Sequence, residues 1–486
     1  MTAPTPTPAP PPPHAPVLTP DLCVIGAGSA GLSVAAGAAQ MGASVVLVEA
    51  GEMGGDCLNT GCVPSKALLA AAKAAHHAAA GARFGVTAGP VAIDFAAAKD
   101  HVARAIAAIA PHDSVERFEG LGVTVLKARA RFEGRDEVSA GAVRIRARRF
   151  VIATGARPAI PPIPGLAGTP HLTSETVFAL REAPSRLLIL GGGAIGLEMA
   201  QAHRRLGCEV AVIEADRALG REDPELAAIA LAALRAEGVE IAEGARAASV
   251  SAGSEGVTLT AEDGRTWRGS HLLVATGRAP DVTGLNLEAA GVAADRRGVT
   301  VDAGLRTTNR RVYAIGDAAA GLPAFTHSAG WQAGLVIRSA LFRLPVRAET
   351  RAMPMAVYTD PELARVGPTE AEAREIHGDR LEVIRVPFSG SDRAVAEGAT
   401  EGLLKLLVVR GRPIGAGIVG AQAGELIGLW TLAIGAKLKL GAVAGMIAPY
   451  PTLGELSKRA AGQHFAPKLF ENPWVKRAVR LLARLG

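Results

Sequence analysis

Two cysteines, Cys57 and Cys62, stand five positions apart in the run Gly54-Gly55-Asp56-Cys57-Leu58-Asn59-Thr60-Gly61-Cys62-Val63-Pro64-Ser65-Lys66. Two thiols this close can cycle between dithiol and disulfide, or bind a soft metal ion as thiolates. Residues five apart do not share a face of a regular helix, so joining the sulfurs requires a distorted first turn. A helix N-terminus at this place favours the thiolate, because it presents unpaired N–H groups and partial positive charge. The other two cysteines, Cys23 and Cys208, lie in the strand-like stretches Leu22-Cys23-Val24-Ile25 and Cys208-Glu209-Val210. They are expected to be small buried hydrophobes. Four cysteines in 486 residues do not form the pattern of a secreted disulfide scaffold.

The elements that must position this pair come as a repeat. Asp21–Ile25 is a short apolar strand that runs into Gly26-Ala27-Gly28-Ser29-Ala30-Gly31 and an Ala-rich helix to about Met41; Val45–Val48 then ends in Glu49. Leu187–Leu190 runs into Gly191-Gly192-Gly193-Ala194-Ile195-Gly196 and a helix to about Leu206; Val210–Ile213 ends in Glu214. In both copies the acid lies 23 positions after the first glycine. The first glycine permits a tight turn, the second a close approach to a pyrophosphate, and the third close packing of helix on strand. The helix N-terminus faces the phosphates and the acid bonds ribose hydroxyls. The sequence therefore predicts two dinucleotide sites, one on Gly26, Gly28, Gly31 and Glu49, the other on Gly191, Gly193, Gly196 and Glu214. Each copy has a later echo, an apolar strand ending in Ala-Thr-Gly: Phe150–Gly155 with Thr154 and Gly155, and Leu272–Gly277. Such an ending lets the chain turn closely around a bound nucleotide.

Lys and Arg total 52 against 46 Asp and Glu, a net charge of +6 that is small for this length. No basic patch with a matching fold marks a nucleic-acid partner in the body of the chain. Residues 1–20 are rich in Pro, Thr and Ala, without the basic and apolar regions of a secretory signal, and predict an extended, solvated tail. The uninterrupted apolar runs, Leu426–Ala436 among them, are shorter than the roughly 20 residues that cross a bilayer. A cytoplasmic protein is expected.

The Gly54–Lys66 run resembles the active site of the class I pyridine nucleotide–disulfide oxidoreductases, whose members include dihydrolipoamide dehydrogenase, glutathione reductase and mercuric reductase. The resemblance spans roughly residues 20 to 470 and includes the strand Val312–Ile315 ending in Gly316-Asp317. It implies an α/β fold: two Rossmann-like domains, for FAD and NAD(P), and a C-terminal α+β dimerisation domain. The implied boundaries are a disordered Pro-rich tail over 1–19, an FAD-binding domain over 20–165 and 288–349, an NAD(P)-binding domain over 166–287, dimerisation over 350–470, and a basic amphipathic tail over 471–486. In the last domain Leu381–Pro387 and Gly402–Val409 read as strands and Glu425–Leu440 as a helix.

The same resemblance implies that Cys62 is the charge-transfer thiolate beside the flavin and Cys57 the interchange thiol. It puts Lys66 near the flavin N5, paired with Glu198. Asp317, after Gly316, would bond the ribityl chain or pyrophosphate, and Glu49 the adenosine ribose. The second site takes NAD(P)H; Glu214 suits a free 2′-hydroxyl and repels a 2′-phosphate, which favours NAD(H) over NADP(H), although Arg217 and Arg221 follow closely. No residue is assigned to a resident metal.

One departure bears on the acceptor. Disulfide-reducing members end in His-Pro-Thr-x-x-Glu, which crosses to a partner subunit and supplies an acid–base His. Here the segment is Tyr450-Pro451-Thr452-Leu453-Gly454-Glu455. A phenol has pKa about 10 against about 6.5 for imidazole, so near neutrality on the order of one tyrosine in a thousand is ionised. General acid–base catalysis is worth ~10²–10⁴ in rate, so slow turnover of lipoamide or glutathione disulfide is expected. Tyr450 and the segment Phe325–Gly334 look like the mercuric reductase branch. No cysteine follows Cys208, so the Cys-Cys pair with which that branch hands metal inward is missing. The acceptor stays open among a metal ion, a disulfide such as lipoamide, another small molecule and a quinone. A homodimer is implied because Tyr450 and Glu455 complete a neighbour's site in the family. Finally, Lys476, Arg477, Arg480 and Arg484 alternate with Trp474, Val475, Ala478, Val479, Leu481, Leu482 and Leu485 at helical spacing. Such a helix either docks on the protein or lies on an anionic membrane face, peripheral to the inner membrane.

Overall fold

Leu22–Ile25 is buried at every position because it is the central strand of a parallel sheet covered on both faces. The sheet order is Val312–Ala314, Arg149–Ile152, Leu22–Ile25, Val45–Glu49, Val123–Lys127, all parallel. The computed structural model describes residues 16–87, 89–254 and 256–484. It comprises two units, one of residues 1–191, 206–208 and 247–350, the other of 192–205, 209–246 and 351–486.

In the first unit the helix Ser29–Gln40 buries Ala30, Leu32, Val34, Ala35 and Ala38 against Leu22 and Val24 of the sheet. Small residues let helices approach: a Cβ on Gly37 would lie 2.5 Å from Ile337 Cδ1 of the helix Thr326–Ala340. Cys23 and Cys208 are fully buried, as their surroundings predicted. The strand Arg186–Leu190 pairs in parallel with His271–Val274. The tail ends earlier than expected. Val17–Leu18 pairs in parallel with Arg144–Ile145, so the order begins before residue 19; its backbone groups find partners on Val143–Ile145, which propensity could not foresee. The remaining tail, residues 1–15, and Leu485 lie outside the described residues.

In the second unit Glu209–Ile213 pairs in parallel with Glu240–Ala242, and the helix Ala194–Arg205 packs on that strand. Residues beyond 350 form a five-stranded antiparallel sheet in the order Pro354–Val357, Glu362–Val366, Arg412–Gly420, Leu403–Val409, Leu381–Pro387. Ile427, Trp430, Ala433 and Ile434 of the helix Ala423–Gly435 bury against it. This helix stops short of Leu440. Lys437 takes a left-handed φ of 55°, and the Leu438 N–H closes the end on the Ala433 carbonyl at 2.8 Å. A second short helix, Leu440–Ala444, follows. The buried Lys405 ammonium joins sheet to helix through Asp223, Glu225 and Glu370 at 2.7, 2.6 and 3.0 Å.

Candidate active site

Cys57 lies on the short helix Gly55–Asn59 and Cys62 opens the helix Cys62–Ala79. Between them the chain breaks at Thr60 and Gly61, whose backbone leaves helical geometry. This is the distortion that the spacing of the cysteines required. Polar side chains pin the break. The Thr60 hydroxyl donates to Asp56 Oδ1 at 2.6 Å, and Asn59 Nδ2 donates to the carbonyls of Met53 and Gly55. Cys62 Sγ lies 3.4 Å from Thr326 Oγ1 at the start of its helix.

The two thiols are free, and each shifts the protonation of the other. Cys57 falls to about 6, first because the Cys62 thiol bonds to it, with Thr326 and Ser29 adding to the effect against burial and the Asp56 charge. Cys62 is pushed up for the same reason, with burial adding and the Lys66 ammonium pulling back. Each thiol thus moves the other, one down and one up, so the two titrate as a pair.

One arginine ties this loop to the Gly316-Asp317 corner. Arg278 reaches Asp56 Oδ2 at 2.9 Å and Asp317 Oδ2 at 3.6 Å. Burial raises the Asp317 carboxyl, Arg278 opposes that, and the Asp56 charge adds to it. Arg278 follows the second Ala-Thr-Gly directly. Neither it nor Asp56, Thr326 or Ser29 was singled out by the sequence, because the signal is a spatial meeting of four separate segments.

The first glycine loop fits a dinucleotide. Gly26 has φ +103°, and a Cβ there would stand 2.4 Å from the Ala153 carbonyl oxygen; a Cβ on Gly31 would stand 1.8 Å from the Gly26 oxygen. Gly28 and Gly155 face open space instead: the nearest atom to a Cβ on Gly28 is 3.9 Å away, and none lies within 4 Å of one on Gly155. Such openings let backbone approach a ligand. Glu49 Oε2 accepts from Ala27 N–H and Oε1 from Gly51 N–H, both at 2.5 Å, leaving lone pairs for ribose hydroxyls. Thr154 Oγ1 is buried with no hydrogen-bond partner among the described residues, a hydroxyl that a bound group would satisfy.

The second loop repeats the device. Glu214 Oε2 accepts from Gly192 N–H at 2.7 Å and Oε1 from Asp216 N–H at 2.9 Å. Nothing lies within 4 Å of a Cβ on Gly193 or Gly277, while Gly191 turns at φ +112° and Gly196 is buried in its helix. Arg217 and Arg221 are exposed. Glu198 is buried on the same helix, its Oε1 accepting from Tyr358 N–H at 3.0 Å.

Tyr450 is 71% exposed, and its hydroxyl donates to Asp392 Oδ2 at 2.8 Å. That carboxylate holds the phenol above its ordinary range. Glu455 begins the helix Glu455–Gln463 and accepts from Thr452 N–H at 3.3 Å. Cys57, Cys62, Lys66, Glu49, Thr154, Gly277, Gly316 and Asp317 therefore fall in the first unit. Gly193, Gly196, Glu198, Glu214, Tyr450 and Glu455 fall in the second.

Residues 20–333 match the pyridine nucleotide-disulphide oxidoreductase family, and residues 353–461 match its dimerisation domain. A mercuric reductase of Streptomyces lividans is 38% identical, over 91% of this chain and 95% of its own. A dihydrolipoyl dehydrogenase of Thermus scotoductus is 39% identical, over 91% and 97%. Among solved structures, the Cu(II) complex of the HOCl-induced flavoprotein disulfide reductase RclA from Escherichia coli superposes with TM-score 0.82 at 29% identity, over 90% of this chain and 98% of that one. LpdA from Mycobacterium tuberculosis gives 0.85 at 27%, over 92% and 99%. Two glycine cradles, a dithiol loop and a dimerisation sheet therefore have one joint reading, and the chain belongs to the pyridine nucleotide-disulphide oxidoreductase family, as a homodimeric flavoprotein that binds FAD and a pyridine nucleotide.

Proposed function

We propose that this enzyme uses NADH, in preference to NADPH, to reduce a soft metal ion held by Cys57 and Cys62. The observation that carries the reading is Tyr450. It stands where disulfide-reducing members of the family have their acid–base histidine, and Asp392 keeps its phenol protonated. A phenol held neutral is a poor base for a disulfide exchange. Thiolates are good ligands for a soft ion, and reduction of a metal ion needs no proton delivered to a leaving sulfur. The names of some relatives support it, since one set are mercuric reductases and the RclA structure holds Cu(II), while a dihydrolipoyl dehydrogenase stands beside them.

In this reading residues 20–165 and 288–349 hold FAD, 166–287 hold NAD(P)H and 350–470 form the dimer. Gly26, Gly28, Gly31, Glu49, Thr154, Gly155, Gly316 and Asp317 cradle FAD, which supplies two-electron transfer between nicotinamide and the dithiol. Gly191, Gly193, Gly196, Glu214 and Gly277 hold NADH. Lys66 favours the thiolate on Cys62, Glu198 is its partner in the family pattern, and Tyr450 and Glu455 complete the partner subunit's site. Each NADH oxidised to NAD⁺ and H⁺ gives two electrons, which reduce one Hg(II) to Hg(0) or two Cu(II) to Cu(I).

Initial rates of NADH oxidation with Hg(II), Cu(II), lipoamide, glutathione disulfide and a quinone test the reading. A metal ion should exceed lipoamide in kcat/KM by roughly tenfold or more; a disulfide or quinone outrunning both metal ions would sink it. Tyr450→His should raise lipoamide turnover by roughly 10²-fold, the low end of general acid–base catalysis.

A further inference from the structure

The helix Pro473–Leu482 has no buried residue. It is well begun: Asn472 caps it by accepting from Trp474 N–H at 2.9 Å, and Pro473 takes the first position. Yet ten residues are short of the ~12–15 at which a helix in water becomes even marginal, and most helices persist by packing an apolar face. Here no side chain of that face is buried among the described residues. Trp474, Val479, Leu481 and Leu482 are 60–73% exposed, and Leu469 and Phe470 of the preceding turn, Pro467–Glu471, are exposed too.

The charge pattern says what kind of partner fits. At about 100° per residue, Trp474, Val475, Ala478, Val479, Leu481 and Leu482 fill an arc of about 160°. Lys476, Arg477, Arg480 and Arg484 fill the opposite arc, of about 100°. No acid occurs from Asn472 to Arg484. Arg477 lies over the Trp474 ring at 5.0 Å, at the boundary of the two faces. Ahead of the helix the chain is tethered: Lys468 Nζ meets His464 Nε2 at 2.9 Å, and His464 Nδ1 meets Glu382 Oε2 at 2.7 Å.

We propose that residues 469–484 are an interfacial anchor that lays Trp474, Val479, Leu481 and Leu482 into an anionic lipid surface, with the four cations on the headgroups. An apolar face bordered by cations alone matches a surface that is oily below and negative above. A symmetric contact between two copies of the helix would cover the apolar face and leave the four cations without a counter-charge. A nucleic acid would take the cations and leave the Trp and Leu side chains in water. The anchor is independent of which acceptor the dithiol serves, and it would hold the enzyme at the membrane without any spanning helix; among the described residues none is long and apolar enough to span.

The test is cosedimentation of the full-length flavin-loaded dimer with vesicles of phosphatidylcholine alone and of phosphatidylcholine with phosphatidylglycerol. Binding should be roughly tenfold stronger to the anionic vesicles and weaken in high salt. Leu481→Glu with Leu482→Glu should abolish it, and Arg477→Gln with Arg480→Gln should weaken it, with flavin absorbance and dimer mass unchanged. Absence of wild-type binding, or binding that survives the Glu pair, overturns the proposal. So does a Glu pair that splits the dimer, which would assign the face to subunit contact.

Discussion

The two glycine loops are built alike and differ in what is attached to them. In both, a glutamate at the end of the second strand accepts from an N–H of its own loop and from the N–H two residues onward. In both, the first glycine lies against an Ala-Thr-Gly strand end: a Cβ on Gly26 would stand 2.4 Å from the Ala153 oxygen, and one on Gly191 2.6 Å from the Ala275 oxygen. Only the first loop carries the dithiol. Gly54 N–H donates to the Ala27 carbonyl at 2.9 Å, and a Cβ on Gly55 would stand 2.7 Å from Gly28 Cα. The threonines diverge as well. Thr276 Oγ1 donates to the Ala159 carbonyl, while Thr154 Oγ1 has no partner among the described residues. One backbone device can thus cradle two cofactors, and chemistry enters where a neighbouring loop presses against one copy.

If the copies divide labour this way, damage to each should separate. Cys62→Ser should cut acceptor turnover by at least about 10³-fold, the scale for residues that act as a unit. NADH binding, read by fluorescence titration, should be untouched; a large change there would break the division. Next in size is a pair of glycines. Gly31→Ala puts a Cβ 1.8 Å from backbone, so it should cost about 3 kcal/mol and release flavin on mild heating. Gly193→Ala enters open space, so it should keep flavin and fold while raising the KM for NADH, read in the same assays.

Smaller effects sharpen the comparison of the two acids. Glu214→Ala should move the NADH to NADPH ratio of kcat/KM toward NADPH by about tenfold, the scale of one lost charge repulsion. A wild-type enzyme that already prefers NADPH tenfold would contradict the role given to Glu214. The finest test is the pH profile of alkylation by iodoacetamide of the dithiol-reduced enzyme. Cys57, lowered to about 6 from 9.0, should react as thiolate above that point, several pH units earlier than an ordinary thiol. Asp56 raises Cys57, so Asp56→Asn should move the profile to lower pH. A midpoint near 9 in the wild type would remove the thiol–thiol hydrogen bond from the account.

By itself the sequence determined the parts whose information is local. Glycine, apolar and acidic residues at fixed offsets specify a strand–turn–helix cradle wherever they occur, because backbone sterics and hydrogen bonding act over a few residues. The Gly54–Lys66 run specified a broken helix for the same reason, and Leu381–Pro387 came out with its bounds unchanged. Tertiary structure decided what depends on segments far apart in the chain. It brought Arg278 between Asp56 and Asp317, set Thr326 beside Cys62, gave Val17–Leu18 a strand to join, and left the helix Pro473–Leu482 without a buried face. Charge coupling and burial fall off over ångströms of space, not over positions in sequence, so those outcomes existed only once the chain had folded.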